Sequence, residues 1–373
     1  MVDNETITFN FQQGLFFYRG RVALYAILKA LGIGPGDEVA IQAFTCLAVP
    51  EGVMATGARP LWIDIEPNGF NMDAEDLDRK LTPNTKAIVV QHTYGIPAAM
   101  DEIEEVARTH NLPIIEDCCH TLTSTYRGRR VGTFGVAAFY SFEWGKPVAV
   151  GIGGAAVIND DELRQRVANA YQHYTFPGFK RTLRIQLQYH AFRLLYRPSL
   201  YWPVRTLFHT LGNLGLAESN YNPVNTNGIA EDFRLRMAPV LQKRLHKKLQ
   251  RLESLNQHSQ KISAYYQEHI QTGAVVHPPI PADAHVIFAR YPLITHDKRK
   301  LLLEAQKANV EMADWYATPV HPLSGESLSL VHYAQGSCPN AEKRGREVIT
   351  LPTHFNVREK DAERITNFLN NLR

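Results

Sequence analysis

Thr85-Lys86-Ala87-Ile88-Val89-Val90-Gln91 and Pro113-Ile114-Ile115-Glu116-Asp117 bracket a helical pattern from Asp101 to His110, and this strand–helix–strand unit decides the fold. Two strands joined by a helix of that length run parallel, because a hairpin turn is not available to them. The first run is apolar and β-branched through its centre, as expected of a strand buried on both faces. Upstream, Arg21 to Leu31 reads as a helix, ended by Gly32-Ile33-Gly34-Pro35-Gly36-Asp37, and Glu38 to Gln42 as a strand. A helix around Cys46 to Thr56, a strand from Pro60 to Asp64 and a helix capped by Asp73 and running to Lys80 follow. Val136 to Phe142 and Ala155 to Ile158 supply two more strands, the second entered through the tight turn Gly151-Ile152-Gly153-Gly154. The expected fold class is α/β, a mostly parallel sheet covered by helices. Ligands of such sheets bind beyond the carboxyl ends of the strands, where Asp117 falls.

A chain of 373 residues, 45% hydrophobic, suits one large domain and a smaller one. We place the large domain at 1–246 and a C-terminal α/β domain at 247–373, with the first residues of the chain as a candidate addition to the latter. In that second part a helical pattern from about Arg236 to Thr272 leads to a strand at Val286 to Leu293 and helices at Lys298 to Ala308 and Glu359 to Leu372. A net charge of +3 gives no reason to expect nucleic acid. The N-terminal residues Asp3 and Glu5 are acidic and no basic-then-apolar leader follows, so no signal peptide is expected. No apolar run reaches the roughly 18 residues of a membrane span. Cys46, Cys118, Cys119 and Cys338 form no CxxC pair and no cluster with histidine, which predicts reduced thiols in a cytoplasmic protein and no metal site.

The chemistry centres on Lys146, in Ser141-Phe142-Glu143-Trp144-Gly145-Lys146, taken together with Asp117. An amine just past one strand and an acid closing another form the layout that holds pyridoxal 5'-phosphate (PLP). The amine bonds the cofactor aldehyde and the acid keeps the pyridine nitrogen protonated. A full-charge pair at about 4 Å is worth about 4 kcal/mol gross at an effective dielectric near 20. That corresponds to about three pKa units before desolvation is deducted.

With these motifs in order, the chain resembles the DegT-type PLP-dependent sugar aminotransferases of fold type I, the aspartate-aminotransferase-like architecture. The matching stretches are Gly34-Pro35-Gly36-Asp37-Glu38-Val39, Gly57-Ala58-Arg59-Pro60, Thr85-Lys86-Ala87-Ile88, Pro113 to Asp117, Tyr140-Ser141-Phe142 with Lys146, and Gly153-Gly154-Ala155-Ala156-Val157. Pro339-Asn340-Ala341-Glu342-Lys343 and Leu351-Pro352 extend the resemblance towards the C-terminus. It implies that Lys146 carries the cofactor and shuttles a proton, that Asp117 pairs with the ring nitrogen, and that His120 lies near the ring. Ser141 and the backbone N–H groups of Arg21 and Val22 are implied to hold the phosphate, a helix N-terminus being suited to an anion. Tyr316 and His321 match a segment that lines the family's substrate cleft.

Four positions depart from the family. Arg21 stands where Thr or Ser is common, bringing a cation near the phosphate. Cys46 replaces the usual ring-stacking aromatic, and Phe44 is a candidate to cover that face. Arg234, in Arg234-Leu235-Arg236-Met237, aligns with an Asn that reaches a neighbouring subunit's phosphate, and Pro147 follows the lysine in place of Asn. The resemblance implies a homodimer with sites at the subunit boundary and a substrate that is a nucleotide-linked keto sugar, with glutamate as amino donor. Rival expectations are the same chemistry on a cyclitol, lipid or secondary-metabolite ketone, a related dehydratase, and a PLP-binding regulatory protein without turnover.

From Leu163 to Ala217 there is no Asp or Glu, while Arg164, Arg166, Lys180, Arg181, Arg184, Arg193, Arg197 and Arg205 are cationic and aromatics are interleaved. We read about 176–220 as a basic helical insertion into the large domain. Three roles remain open for it: packing on the protein or at a subunit contact, attraction of an anionic substrate, and docking on an anionic membrane surface through about 180–216.

Overall fold

The structure, a computed structural model, describes residues 14–213, 217–218 and 229–372; the first residues of the chain and the end of the expected insertion lie outside these. A seven-stranded sheet organises the first half. Its strands are β1 (Leu15–Phe17), β2 (Glu38–Gln42), β3 (Arg59–Ile63), β4 (Thr85–Gln91), β5 (Ile114–Asp117), β6 (Ala137–Ser141) and β7 (Gly154–Ile158). They lie in the order β1-β7-β6-β5-β4-β2-β3. The five from β3 to β6 run parallel, and β7 and β1 complete the edge antiparallel. In the parallel part, Gln91, Asp117 and Phe139 are neighbours in one row at the carboxyl ends. That row opens the crevice.

Helices α1 (Gly20–Ala30), α2 (Ala48–Met54), α3 (Ala74–Lys80), α4 (Met100–Thr109) and α5 (Asp161–Tyr171) surround the sheet. The expected cap holds: the Asp73 carboxylate accepts from the amides of Glu75 and Asp76. α1 has no side-chain cap, and its stability comes from burial: Leu24, Ile27 and Leu28 are fully enclosed, at about 1.5–3 kcal/mol each relative to exposure. Its first turn sits close to the sheet because two neighbours lack side chains. A Cβ on Gly154 would lie 2.3 Å from the Arg19 carbonyl, and one on Gly20 would lie 3.2 Å from Ser141 Cβ. Cys46 is not helical; Thr45 and Cys46 pair instead with Val320 and His321, parallel, before α2 begins.

Two helices then form a hairpin, α6 (Phe179–Leu195) and α7 (Tyr201–Asn213), where the basic insertion was expected. The single helical pattern expected from about Arg236 to Thr272 is two helices, α8 (Pro239–Leu249) and α9 (Leu252–His269). The break at Gln250 and Arg251 lets each helix serve a different core. Leu241, Leu245 and Leu249 pack with Phe142 and Val148, whereas Ile262 and Tyr266 join the main core. The strand expected from Val286 begins only at Arg290: β8 (Arg290–Ile294) pairs antiparallel with β9 (Val348–Pro352). Upstream of it the amides are taken by loops, Ile287 by Ser124 Oγ at 3.0 Å and Ala289 by the Tyr94 carbonyl at 2.9 Å. Helices α10 (Lys298–Lys307), α11 (Pro339–Glu347) and α12 (Glu359–Asn370) finish the chain. The main core runs from Leu24 and Ile27 through Tyr266 and Leu293 to Ile365, across the expected division at 246/247.

Candidate active site

Asp117 ends β5 and is buried, with one carboxylate oxygen accepting the Cys119 N–H at 2.9 Å. Burial pushes its pKa up, and the Lys146 charge offsets part of that penalty. Lys146 belongs to a turn that leaves the sheet after β6 and returns to it. Phe142 donates to the Gly153 carbonyl and accepts from Val150, each at 2.8 Å, and the Lys146 amide donates to Glu143 O at 3.2 Å. Glu143 in turn holds Arg19 at 3.0 Å, fastening this turn to the start of α1. The Lys146 ammonium lies 4.7 Å from the centroid of the Trp315 ring, and that ring lies 5.0 Å from His120.

His120 is buried. Its Nδ1 accepts from Tyr94 N–H at 3.0 Å and its Nε2 faces the Tyr316 hydroxyl at 3.1 Å. The first contact places the proton on Nε2, which then donates to Tyr316. Burial, helped by Lys146, holds the imidazole well below its usual pKa, so the ring is neutral near pH 7. Tyr94 supports this arrangement from behind: it stacks on His120 at 6.1 Å, and its hydroxyl bonds the Trp315 carbonyl and the Tyr316 amide. Cys46 also feels the Lys146 charge, but burial outweighs it and pushes the thiol up to about 11. Lys146, Asp117, His120 and Cys46 therefore share one neighbourhood, with Tyr316 beside them. His321 is joined to the same segment through the Ala317 N–H, which donates to its Nδ1 at 3.2 Å, and pairs across to Cys46 in the short parallel ladder.

Ser141 lies against Gly20 at the start of α1, so the expected phosphate residues meet there. The details differ from expectation. The Val22 amide turns back to the Arg19 carbonyl at 3.2 Å, leaving the Gly20 and Arg21 N–H groups as the outward donors of the first turn. The Arg21 guanidinium spans Glu51 at 3.0 Å and Asp232 at 2.8 Å, because a half-buried and a buried acid attract it; its Nε is a buried donor with no partner among the described residues. Phe44, with φ of 65°, is wholly buried against Phe70, Tyr94 and Tyr316, which makes it a wall of the aromatic cluster. Arg234 is exposed on a helical turn, Glu231–Arg234, two residues past the Asp232 that binds α1.

Sequence reasoning missed Trp315, Tyr94, Glu143 and Asp232. Trp315 carried a signal, since it adjoins Tyr316 in the segment matched to the substrate cleft. Asp232 carried none, because its partners Arg19 and Arg21 lie more than two hundred residues away along the chain. A further cluster, His92, Glu116 and Cys118, has metal-like proximity, but Glu116 is committed to the backbone. It accepts from Gly132, Phe134 and Gly135 at 2.6, 2.7 and 2.8 Å and meets His92 Nε2 at 3.1 Å.

A parallel α/β sheet with a buried acid at one strand end and a lysine near enough to act on its charge is the layout expected of an enzyme built around a pyridine cofactor. The chain belongs to the DegT/DnrJ/EryC1/StrS aminotransferase family, whose profile matches residues 16–370. It is 29% identical over 353 residues to the UDP-N-acetyl-3-dehydro-alpha-D-glucosamine 3-aminotransferase of Acidithiobacillus ferrooxidans, covering 94% of this chain and 81% of that one. To the GDP-perosamine synthase of Caulobacter vibrioides it is 44% identical over 148 residues, 40% of each chain. Among solved structures it resembles S. venezuelae DesV in complex with a ketimine intermediate, with a TM-score of 0.72, 26% identity, and 96% of this chain and 84% of that chain covered. The chain is thus an aminotransferase of a PLP-dependent family. Among the described residues no helix is long and apolar enough to cross a membrane.

Proposed function

We propose that this enzyme uses PLP to convert a keto sugar, nucleotide-linked, into an amino sugar with glutamate as the amino donor. The reading rests above all on one observation, the gathering of Lys146, Asp117 and His120 in one neighbourhood beside the Trp315 ring. The nucleotide sugars named for the relatives support the substrate class. The residues fit the cofactor. Asp117 is a buried acid whose charge is under-compensated, as a partner for a cationic ring nitrogen must be. The Gly20 and Arg21 amides, Ser141 and the unpartnered Arg21 Nε form a donor set for a phosphate. We assign the large domain to 1–246 and the smaller one to 247–373, and the cofactor to Lys146, Asp117, His120, Ser141, Arg21, Phe44 and Cys46, with Arg234 serving a second copy in a homodimer. Tyr316 and His321 are assigned to the substrate. The location we propose is cytoplasmic, with a peripheral membrane contact argued below.

When bound, the cofactor supplies an electron sink for the carbon that exchanges its amino group. The chain's own residues do the rest. Asp117 holds the proton of the ring nitrogen in place. Lys146 Nζ, once free of the cofactor, would take the proton from the donor's carbon and pass it to the cofactor, and in the second half would take a proton back from the cofactor and deliver it to the former carbonyl carbon of the ketone. His120, neutral and donating through Nε2, fixes the Tyr316 hydroxyl at the rim of the site. Trp315 lies against the lysine and narrows its access to solvent.

Borohydride reduction of the purified protein followed by peptide mapping tests the assignment: the cofactor is expected on Lys146, and Lys146→Ala abolishes both trapping and visible absorbance. Trapping on any other lysine refutes it. Cys46, in place of an aromatic, supports a second reading in which the ketone is a cyclitol, lipid or secondary-metabolite intermediate. Return of the aminated cofactor's spectrum to the aldehyde form by nucleotide keto sugars excludes that reading.

A further inference from the structure

The α6–α7 hairpin is apolar on two opposite sides, and among the described residues only one of them is covered. Its inner side packs Ile185, Tyr189 and Phe192 against the turn that carries Lys146: Phe192 and Tyr189 lie 4.7 and 6.2 Å from Trp144, and the Arg244 guanidinium sits 3.7 Å over Tyr189. Tyr196 and Trp202 fasten it to the C-terminal part, through Glu311 at 3.1 Å and the Val310 carbonyl at 2.8 Å. The hairpin is therefore rigidly mounted.

Its outer side carries a ridge of exposed apolar side chains. Phe179, Leu183, Leu187 and Leu194 are 80%, 44%, 64% and 68% exposed. Their spacing puts all four within one narrow arc of the helix, along a length of about 22 Å. Lys180, Arg193 and Arg197 are exposed around this ridge and make no ion pair among the described residues. No acid occurs between Leu163 and Ala217 to balance them.

Charge decides between occupants. A two-fold contact with a second copy would set this face against itself, cation to cation, with no acid to receive them. An anionic bilayer surface offers what the face lacks, negative headgroups beside an apolar boundary. An amphipathic helix meets such a surface lying in its plane, with the apolar ridge a few ångströms deep. We infer that α6 docks this enzyme on an anionic membrane surface, with the Phe179 to Leu194 ridge at the acyl boundary and Lys180, Arg193 and Arg197 among the headgroups. The inference does not depend on which ketone the enzyme aminates.

Co-sedimentation of the full chain with vesicles tests it, using phosphatidylcholine alone and phosphatidylcholine with about one third phosphatidylglycerol. Binding is expected to the anionic vesicles only, and to weaken as salt is added. Leu187→Glu with Leu194→Glu should lower partitioning about tenfold or more, while circular dichroism and transaminase activity persist. Replacing Lys180, Arg193 and Arg197 by Gln should lower it about fivefold per cation and flatten the salt dependence. Equal recovery with neutral and anionic vesicles overturns the inference. So does a Leu187→Glu, Leu194→Glu variant that splits an oligomer in light scattering while the parent pellets with neither vesicle, which would assign the ridge to a second copy.

Discussion

Replacing Glu116 by Gln tests how Asp117 is held, because the two side chains close the same strand and point to opposite sides of the sheet. Glu116 is fully buried, and its two oxygens receive four donors: Phe134 and Gly135 on Oε1, Gly132 and His92 on Oε2. His92 cannot reverse its role, since its Nδ1 already accepts from the Ala98 amide at 3.1 Å. A glutamine has one accepting oxygen, so either orientation of its amide leaves two buried donors facing an NH2 group. Each unsatisfied donor costs about 1–3 kcal/mol, and the neutral amide recovers part of the cost of burying a charge. The net loss is about 3 kcal/mol, or about 150-fold in the unfolding equilibrium. Urea unfolding of the holoenzyme, followed by tryptophan fluorescence, should show a lower midpoint at unchanged slope. Hydrogen exchange should quicken at Gly132, Phe134 and Gly135. A chelator should leave the parent's midpoint where it was, because these bonds leave no role for a metal. A variant with an unmoved midpoint and unchanged exchange at those amides would refute the argument.

Trp315→Ala removes the ring facing Lys146 and His120, contacts worth about 1–2 kcal/mol together, so cofactor affinity in an absorbance titration should fall about tenfold. Trp315→Phe should stay within about threefold of the parent, and an alanine variant that binds as well as the parent would show the ring to be idle. Acid should destabilise the fold through two histidines, His120 buried and His321 half-buried. Burial, with Lys146, holds His120 well below its usual pKa, and burial, acting against the upward pull of Asp314 and joined by Lys298 and Arg205, holds His321 at about 4. The unfolded chain takes up these protons near pH 6.5 and the folded chain does not, so stability is full above that pH and falls as pH drops towards 4. Each histidine contributes about 1.4 kcal/mol per pH unit in that window. His321→Asn should therefore flatten the dependence of the urea midpoint on pH between 6 and 5, and an unchanged slope would count against the assignment.

Local sequence signals located the strands to within a residue or so across the parallel part of the sheet, because each is a short apolar run between strong turn residues. Lys146 and Asp117 were legible for the same reason: both follow strand ends, and strand ends of parallel sheets face one crevice. The helix expected across Gln250 was not broken in the reading, since an unbroken 3.6-residue pattern does not reveal that its two halves pack on different cores. The start of β8 was misplaced because Val286 to Ala289 look like strand but spend their amides on Ser124 and Tyr94, partners supplied by another part of the chain.

The order of residues alone determined the alternation of strands and helices, the lysine and acid at strand ends, and the stretch without acids. Those follow from periodicity, composition and short-range turn chemistry, which act over a few residues. Only the tertiary structure decided that Trp315 faces Lys146, that Arg19 and Arg21 are held by Glu143, Glu51 and Asp232, and that one side of α6 is exposed among the described residues. Such pairings join groups far apart in the chain, and their energy exists only once the sheet has brought them within a few ångströms of each other.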